Sequence, residues 1–445
     1  MKIVIAGAGG IGFHLAKLLA SAQQDIVLID SNQDVLDYAS QHLDVHTILG
    51  DSSSIQILKD AEIHRANLFL AVTTLENNNI ISCILAKKLG ARQTIARINN
   101  IDNLQKEYTQ TFRDLGVDKI ISPSLLAAQE IVRLLELCQV TDSFDFEEGK
   151  ISLLGVTLDD DSVYNNKTIN EIQSDKKVDY NPIAVLRGIE TILPRSNTRL
   201  KRGDHVYFLA KKKNVDHLLE TIGKSVKKIK TVMMIGGGEI ALQVAKTMEN
   251  EYRITIVEQD EKTCKYLTKQ LNNTLIIKGD PSNIELLREE GLSSMDAFIA
   301  LTPNSETNII TSLMAESAGV FKTIALVDNT DYTHISQDIG VDTLINKKLI
   351  AANYIFRFVR KGKVEAITSL HGVDAEVIEF TIQKENRVTR NNLRSLKFPE
   401  NALIGGVIRG DESIIPTGDF VLQVDDKVIV LAMPDAIGKV EELFR

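Results

Sequence analysis

KIVIAGAGGIGFHLAKLL, residues 2–19, opens the chain and decides how it folds. An apolar run reaching Ala6 meets a glycine-rich turn, Gly7-Ala8-Gly9-Gly10-Ile11-Gly12, after which apolar residues recur at helical spacing. A lone G-x-G-x-x-G means little; between a strand and a helix it gains a mechanism. The first glycine permits a tight turn, the second lets a pyrophosphate approach the backbone, and the third lets the helix pack on the strand. The helix start then offers unpaired N–H groups and a partial positive charge to phosphates. Gly7, Ala8, Gly9, Gly10 and Ile11 are the candidate contacts of this turn.

The same pattern returns as KTVMMIGGGEIALQVAKTM, residues 230–248. At an offset of 229, Gly7 maps to Gly236, Gly9 to Gly238, Gly12 to Ala241, Gly50-Asp51 to Gly279-Asp280, Thr73 to Thr302 and Asn79 to Asn308. The offset becomes 224 where LLAAQEIVRLL (125–135) lies over LIAANYIFRFV (349–359), two helical patterns with a central Ala-Ala pair. It becomes 222 where Arg187-Gly188, Pro194 and Asp204 map to Arg409-Gly410, Pro416 and Asp426. Two kinds of unit therefore alternate, A–B–A–B, with expected limits 1–123, 140–224, 230–348 and 365–445.

Each A unit alternates apolar runs with amphipathic stretches. In the first copy the runs are KIVIAG, DIVLID, VHTILG, LFLAVT and TIARI; HLAKLLAS, IQILKDA and NIISCILAKKLG are the helical pieces. Strand–helix alternation predicts a parallel sheet covered on both faces, a Rossmann-like α/β domain. Each B unit is shorter and richer in strands (KISLLGVTL and HVYFLAK, then AEVIEFTI and KVIVLAM), and reads as a small α+β domain. The fold class is thus α/β: tandem duplicated Rossmann-like domains, each followed by a small α+β domain. Lys224 through Lys230 joins the halves, as a solvated linker or a basic patch for a partner.

Beyond the glycines, acidic and polar residues fall at strand ends, where open α/β sheets bind ligands. Asp30 ends the second run, where a carboxylate can receive the hydroxyls of an adenosine ribose; capping the next helix is its other possible role. A 2′-phosphate would be repelled there, which favours NAD or ATP over NADP. Asp51 can cap a helix from Ser52 or meet the adenine edge. Thr73 and Thr74 close the fourth run. Arg97 ends the fifth, suited to phosphate oxygens or to a surface ion pair. The second copy offers Gly236, Gly238, Glu239, Glu258, Asp280 and Thr302, but Leu326 replaces Arg97 and Pro303 replaces Thr74. The two sites should therefore differ in ligand preference.

The 445 residues are 44% hydrophobic and 25% charged with a net charge of −9, a globular composition that argues against an electrostatic grip on nucleic acid. Three dispersed cysteines, Cys83, Cys138 and Cys264, argue against a disulfide framework, and eight scattered histidines give no metal site. No run approaches the ~18–20 apolar residues of a membrane span, and no signal peptide precedes the first strand, so a soluble cytoplasmic protein is expected. The B units carry His205, His217 and His371, none matched between copies. A duplicated scaffold without a repeated catalytic group reads as a ligand sensor and not as an enzyme. The competing reading is an NAD-dependent oxidoreductase on a duplicated Rossmann fold.

These residues together resemble the TrkA family, peripheral subunits of bacterial Trk potassium-uptake systems with tandem RCK (KTN) domains. The likeness rests on GAGGIG (7–12), LID (28–30), GD (50–51), TTLENNN (73–79) and ARI (96–98) in the first copy. In the second it rests on GGGEIA (236–241), VE (257–258), GD (279–280) and TPNSETN (302–308). RGIETILP (187–194) and RGDESIIP (409–416) mark the small domains. The family usually carries Asp-Glu after the threonine; this chain has Glu76-Asn77 and Ser305-Glu306. The resemblance implies binding of NAD(H) and of ATP or ADP, and a homo-oligomeric, tetrameric ring. It also implies a place on the inner face of the membrane, gating a potassium-translocating Trk-type subunit. The helices at 125–135 and 349–359 are candidates for RCK–RCK contact or for ordinary internal packing.

Overall fold

The run KIVIA forms a strand with Ile3, Val4, Ile5 and Ala6 fully buried. A strand without a polar face needs cover on both sides, which a helix-flanked parallel sheet supplies. β1 (Lys2–Ala6), β2 (Asp25–Asp30), β3 (His46–Leu49), β4 (Leu68–Ala71), β5 (Gln93–Arg97) and β6 (Lys119–Ile121) make that sheet, in the parallel order 3-2-1-4-5-6. The expected helical pieces form as Gly10–Ser21, Ile55–Asp60 and Glu76–Lys88. The computed structural model describes the chain from Met1 to Phe444 apart from residues 22–23, 100–103, 105, 137–139, 141, 175–179, 189, 224–227, 330–331, 333–340, 361–365, 371–372 and 374. Most of the lysine-rich joining segment, Cys138 and His371 lie outside the described residues.

The small domain that follows is an antiparallel sheet of β7 (Asp142–Phe146), β8 (Ile151–Thr157), β9 (Tyr180–Arg187), β10 (Glu190–Ile192) and β11 (His205–Lys211), in the order 7-8-11-9-10. The second half repeats both layouts. β12 (Thr231–Ile235), β13 (Arg253–Glu258), β14 (Thr274–Lys278), β15 (Ala297–Ala300), β16 (Lys322–Leu326) and β17 (Thr343–Ile345) run 14-13-12-15-16-17. β18 (Ala366–Ser369), β19 (Glu376–Thr381), β20 (Ala402–Arg409), β21 (Glu412–Ile414) and β22 (Lys427–Ala432) run 18-19-22-20-21. The closing stretch VEEL, residues 440–443, ends the helix Pro434–Leu443.

The Arg-Gly and Asp landmarks of the small domains are an internal latch. Arg187 donates from Nε and a terminal nitrogen to Asp204, both at 2.7 Å, and also to the Arg199 carbonyl at 3.0 Å. Arg409 does the same to Asp426 and the Val421 carbonyl. Both carboxylates are buried, so each requires its arginine. The two small sheets share one apolar core, in which Ile151, Leu153, Ile183 and Leu209 meet Val377, Ile408, Ile429 and Leu431. Their approach is close: a β-carbon on Gly405 would stand 2.5 Å from Leu209 Cδ1 and 2.7 Å from Ile183 Cγ2. Ile183 and Gly405 are equivalent positions of the two repeats, so a knob in one copy fills a gap in the other.

Two compact units divide the chain: residues 1–129 with 346–359, and residues 130–345 with 360–445. Most of the helix Lys347–Arg360, encoded in the second half, therefore belongs with the first Rossmann sheet. Its Ala351 and Ala352 are fully buried within the chain, and Lys119 Nζ of β6 lies 4.7 Å from the Tyr354 ring centroid. Of the two roles open for this helix, the structure shows internal packing, here with the first Rossmann repeat.

Candidate functional site

The order 3-2-1-4-5-6 reverses direction between β1 and β4, the place where open α/β sheets form a ligand crevice at the carboxyl ends of their strands. Gly7 follows β1 with φ +100°, and a β-carbon on it would meet Thr73 N at 2.9 Å. Gly236, with φ +87°, meets the Leu301–Thr302 peptide in the same way. Only glycine fits these turns. Gly9 and Gly238 are the opposite case: a β-carbon on either would have no heavy atom within 4 Å. The glycine there leaves open space beside an exposed backbone, which suits an approaching pyrophosphate. Gly10 and Glu239 are exposed at the start of the following helices, whereas the Ile11 side chain is buried in the core.

Asp30 does not cap the next helix; Asn32 does, accepting from Asp34 N. Asp30 Oδ2 instead accepts from Ala8 N at 2.7 Å and Oδ1 from Asn32 N at 3.0 Å. Glu258 closes the second turn likewise, with Oε2 on Gly237 N at 2.6 Å and Oε1 on Asp260 N at 2.7 Å. Each carboxylate oxygen retains acceptor capacity for a ribose hydroxyl. The Ala8 N–H is engaged by Asp30, which ties the glycine turn to the end of β2.

Asp51 is not a helix cap either. The helix starts at Ile55 with Ser54 as its cap residue, because Asp51 folds back on Ser53. Its Oδ1 accepts from Ser53 N at 2.8 Å, Ser53 Oγ at 2.9 Å and Asn78 Nδ2 at 3.2 Å. Those bonds hold its carboxyl below the usual pKa. Asp280 makes the Ser282 pair of bonds, which lower its pKa too, but Thr307 stands at Asn78's place.

Asn79 and Asn308 mattered in the sequence only as repeat landmarks; they prove to be the clamps of the site. Asn79 Oδ1 accepts from Thr73 N and Thr73 Oγ1, and its Nδ2 donates to the carbonyls of Thr73 and Arg97, all between 2.6 and 3.0 Å. Asn308 makes the same four bonds to Thr302 and Leu326. Thr73 and Thr302 are thereby fixed at the crevice, while Thr74 and Pro303 are exposed. The departure from the family pattern is also resolved. Glu76 Oε2 accepts from Asn99 N and Ser305 Oγ from Asp328 N, each at 3.0 Å, so two different side chains hold equivalent backbone.

Arg97 makes no surface ion pair among the described residues. Its Nε is buried without a hydrogen-bond partner, and burial lowers its pKa. A half-buried guanidinium at the carboxyl end of β5 is suited to receive phosphate oxygens. His205 is buried in the first small sheet against Thr157 and Tyr207, and His217 is exposed. Cys83 and Cys264 are buried free thiols. Among the described residues no cluster of three or more His, Cys, Asp or Glu could hold a metal, and no helix is long and apolar enough to cross a membrane.

Fold and crevice define a class: a chain of two Rossmann-type nucleotide folds, each with a glycine cradle closed by a carboxylate. Residues 3–123 and 232–347 match the TrkA-N domain family, and residues 153–223 and 377–445 match the TrkA-C domain family. The chain belongs to the TrkA family of potassium-uptake proteins. It is 31% identical, over the full length of both chains, to "Trk system potassium uptake protein TrkA homolog 1" of Methanosarcina mazei. It is 28% identical to "Trk system potassium uptake protein TrkA" of Haemophilus influenzae, covering all of this chain and 99% of the relative. Among solved structures, "GsuK channel bound to NAD" shares its fold with a TM-score of 0.61 at 15% identity, over 100% of this chain and 78% of that one. "Crystal structure of the GsuK bound to ADP" does so with a TM-score of 0.52 at 12% identity, over 81% and 70%.

Proposed function

We propose that this chain is the regulatory, cytoplasmic subunit of a Trk-type potassium uptake system. It binds NAD(H), ATP or ADP in its glycine cradles and assembles as a homo-oligomeric, tetrameric ring on the inner face of the membrane. There it biases the gate of a potassium-translocating subunit, with no catalysis of its own. The reading includes the four domain limits 1–123, 140–224, 230–348 and 365–445. It also includes the ligand-binding roles of Gly7, Ala8, Gly9, Gly10, Ile11, Asp30, Asp51, Thr73, Thr74 and Arg97, and of Gly236, Gly238, Glu239, Glu258, Asp280 and Thr302 in the second repeat.

One observation carries the proposal: a glycine cradle, open at Gly9 and at Gly238 and closed by Asp30 or Glu258, stands at the same place in both repeats of a TrkA-family chain. The buried, partnerless Arg97 Nε adds a reason for phosphate. A nucleotide moves a gate only by binding one ring shape better than another, and a tenfold preference contributes ~1.4 kcal/mol per site. The extra phosphates of ATP, which NAD lacks, are the natural source of that difference. The test is potassium uptake by potassium-depleted cells that lack this chain and other uptake systems. Wild-type protein should restore uptake and its nucleotide response, and a folded Gly9→Asp, Asp30→Ala variant should not. Restoration by the variant equal to wild type, or no effect of the wild-type chain, would refute the proposal.

A further inference from the structure

The first cradle receives a side chain from the other half of the chain. Residues 346–359 pack with the first Rossmann repeat, and Lys348 lies over the start of the helix Gly10–Ser21. A β-carbon on Gly10 would stand 2.9 Å from Lys348 Cδ, 3.4 Å from Cε and 3.8 Å from Nζ. The lysine is held there by its own helix. The buried Asn346 accepts from Lys348 N at 2.9 Å and from Leu349 N at 3.1 Å, which caps the first turn. The Lys119–Tyr354 contact fixes the same helix further along. The Lys348 side chain thus brings a positive charge to the start of the helix Gly10–Ser21, where the N–H groups of the first turn also favour an anion.

We infer that Lys348 is a phosphate contact of the first cradle, selecting nucleoside polyphosphates over dinucleotides and tying their charge to the second repeat's helix. The inference rests on the reading of that cradle as an adenine-nucleotide site. Lys348 meets the open end of the glycine turn, where the terminal phosphates of ATP or ADP carry more charge than the bridged pyrophosphate of NAD. The second repeat is the contrast. Glu239 stands where Gly10 stands in the first, and Ser124 has the place of Lys348 in the sequence of the first crossover helix. The first cradle is therefore the polyphosphate site.

Calorimetric titration of the full chain with ATP, ADP and NADH tests this in a Gly238→Asp background, which leaves the first cradle alone to report. Gly238 has φ −70° and open space for a side chain, so this change blocks a ligand and not the fold. Lys348→Gln should weaken ATP and ADP at least tenfold and NADH less than threefold, and Lys348→Arg should keep ATP within threefold of the parent. Unchanged NADH binding also reports that the variant is folded. Equal weakening of all three ligands, or none, overturns the role of Lys348. ATP binding lost in Asp30→Ala but unchanged in Lys348→Gln overturns this inference alone. ATP binding that survives Asp30→Ala overturns the cradle reading and this inference with it.

Discussion

In the first Rossmann repeat the helix after the glycine turn begins with Gly10 and the fifth strand ends in Arg97; in the second repeat those places hold Glu239 and Leu326. Other side chains differ too, Thr74 against Pro303 and Glu76 against Ser305 among them, but the skeleton of the site is shared. The strand order, the carboxylate on the glycine turn and the four bonds of the asparagine clamp recur in both copies. Duplication has kept the groups that shape the crevice and altered the groups that set its charge. The reason is energetic. A buried asparagine with four partners cannot change without stranding them, whereas a group facing the ligand can change and affect only what binds.

The strongest challenge to this equivalence is removal of the clamp. Asn79→Ala and Asn308→Ala should each lower stability by about 3 kcal/mol, since each strands the same donors and acceptors. Urea unfolding of the full chain measures it, and a loss below about 1 kcal/mol in one copy would end the claim that the skeletons are equal. A second difference lies behind the turn, where His14 of the first repeat corresponds to Gln243. Burial, and then Lys17, lower the His14 pKa from 6.5 to about 4. Between those values the unfolded chain binds the extra proton, so stability falls as pH falls through that window. His14→Gln should flatten the decline between pH 7.5 and pH 5 by about 2 kcal/mol, and an unchanged pH slope would refute the burial of a neutral imidazole. The smallest effect concerns charge. Arg97→Leu makes the first site like the second at this position, and should weaken ATP about tenfold, ~1.4 kcal/mol, and NADH less than threefold without lowering the stability of the free protein. Equal losses for the two ligands in titration would mean that Arg97 does not read the extra phosphates.

Much of this was legible in the chain. The repeat, the parallel sheets, the small strand-rich domains and the glycine turns all follow from local patterns, because period, glycine and strand length are properties of neighbouring residues. The capping roles open to Asp30 and Asp51 did not survive. Asp30 accepts with Oδ2 from a loop twenty-two residues away and with Oδ1 from Asn32 N, and Asp51 turns back on Ser53. Spacing alone does not distinguish a cap from such contacts, because both put a carboxylate just before a helix. Asn79, noticed only as a landmark, acts through bonds that reach as far as the end of β5.

The amino-acid sequence settled the two-fold repeat, the class of each domain and which residues line the strand ends, since these depend on short-range pattern and on spacing carried twice. It could not place Lys348 beside Gly10 or Ile183 against Gly405, because each pair joins segments far apart in the chain. Such pairs form where separate apolar faces find mutual cover, and the pairing is set by packing across the folded chain and not by any pattern within one segment.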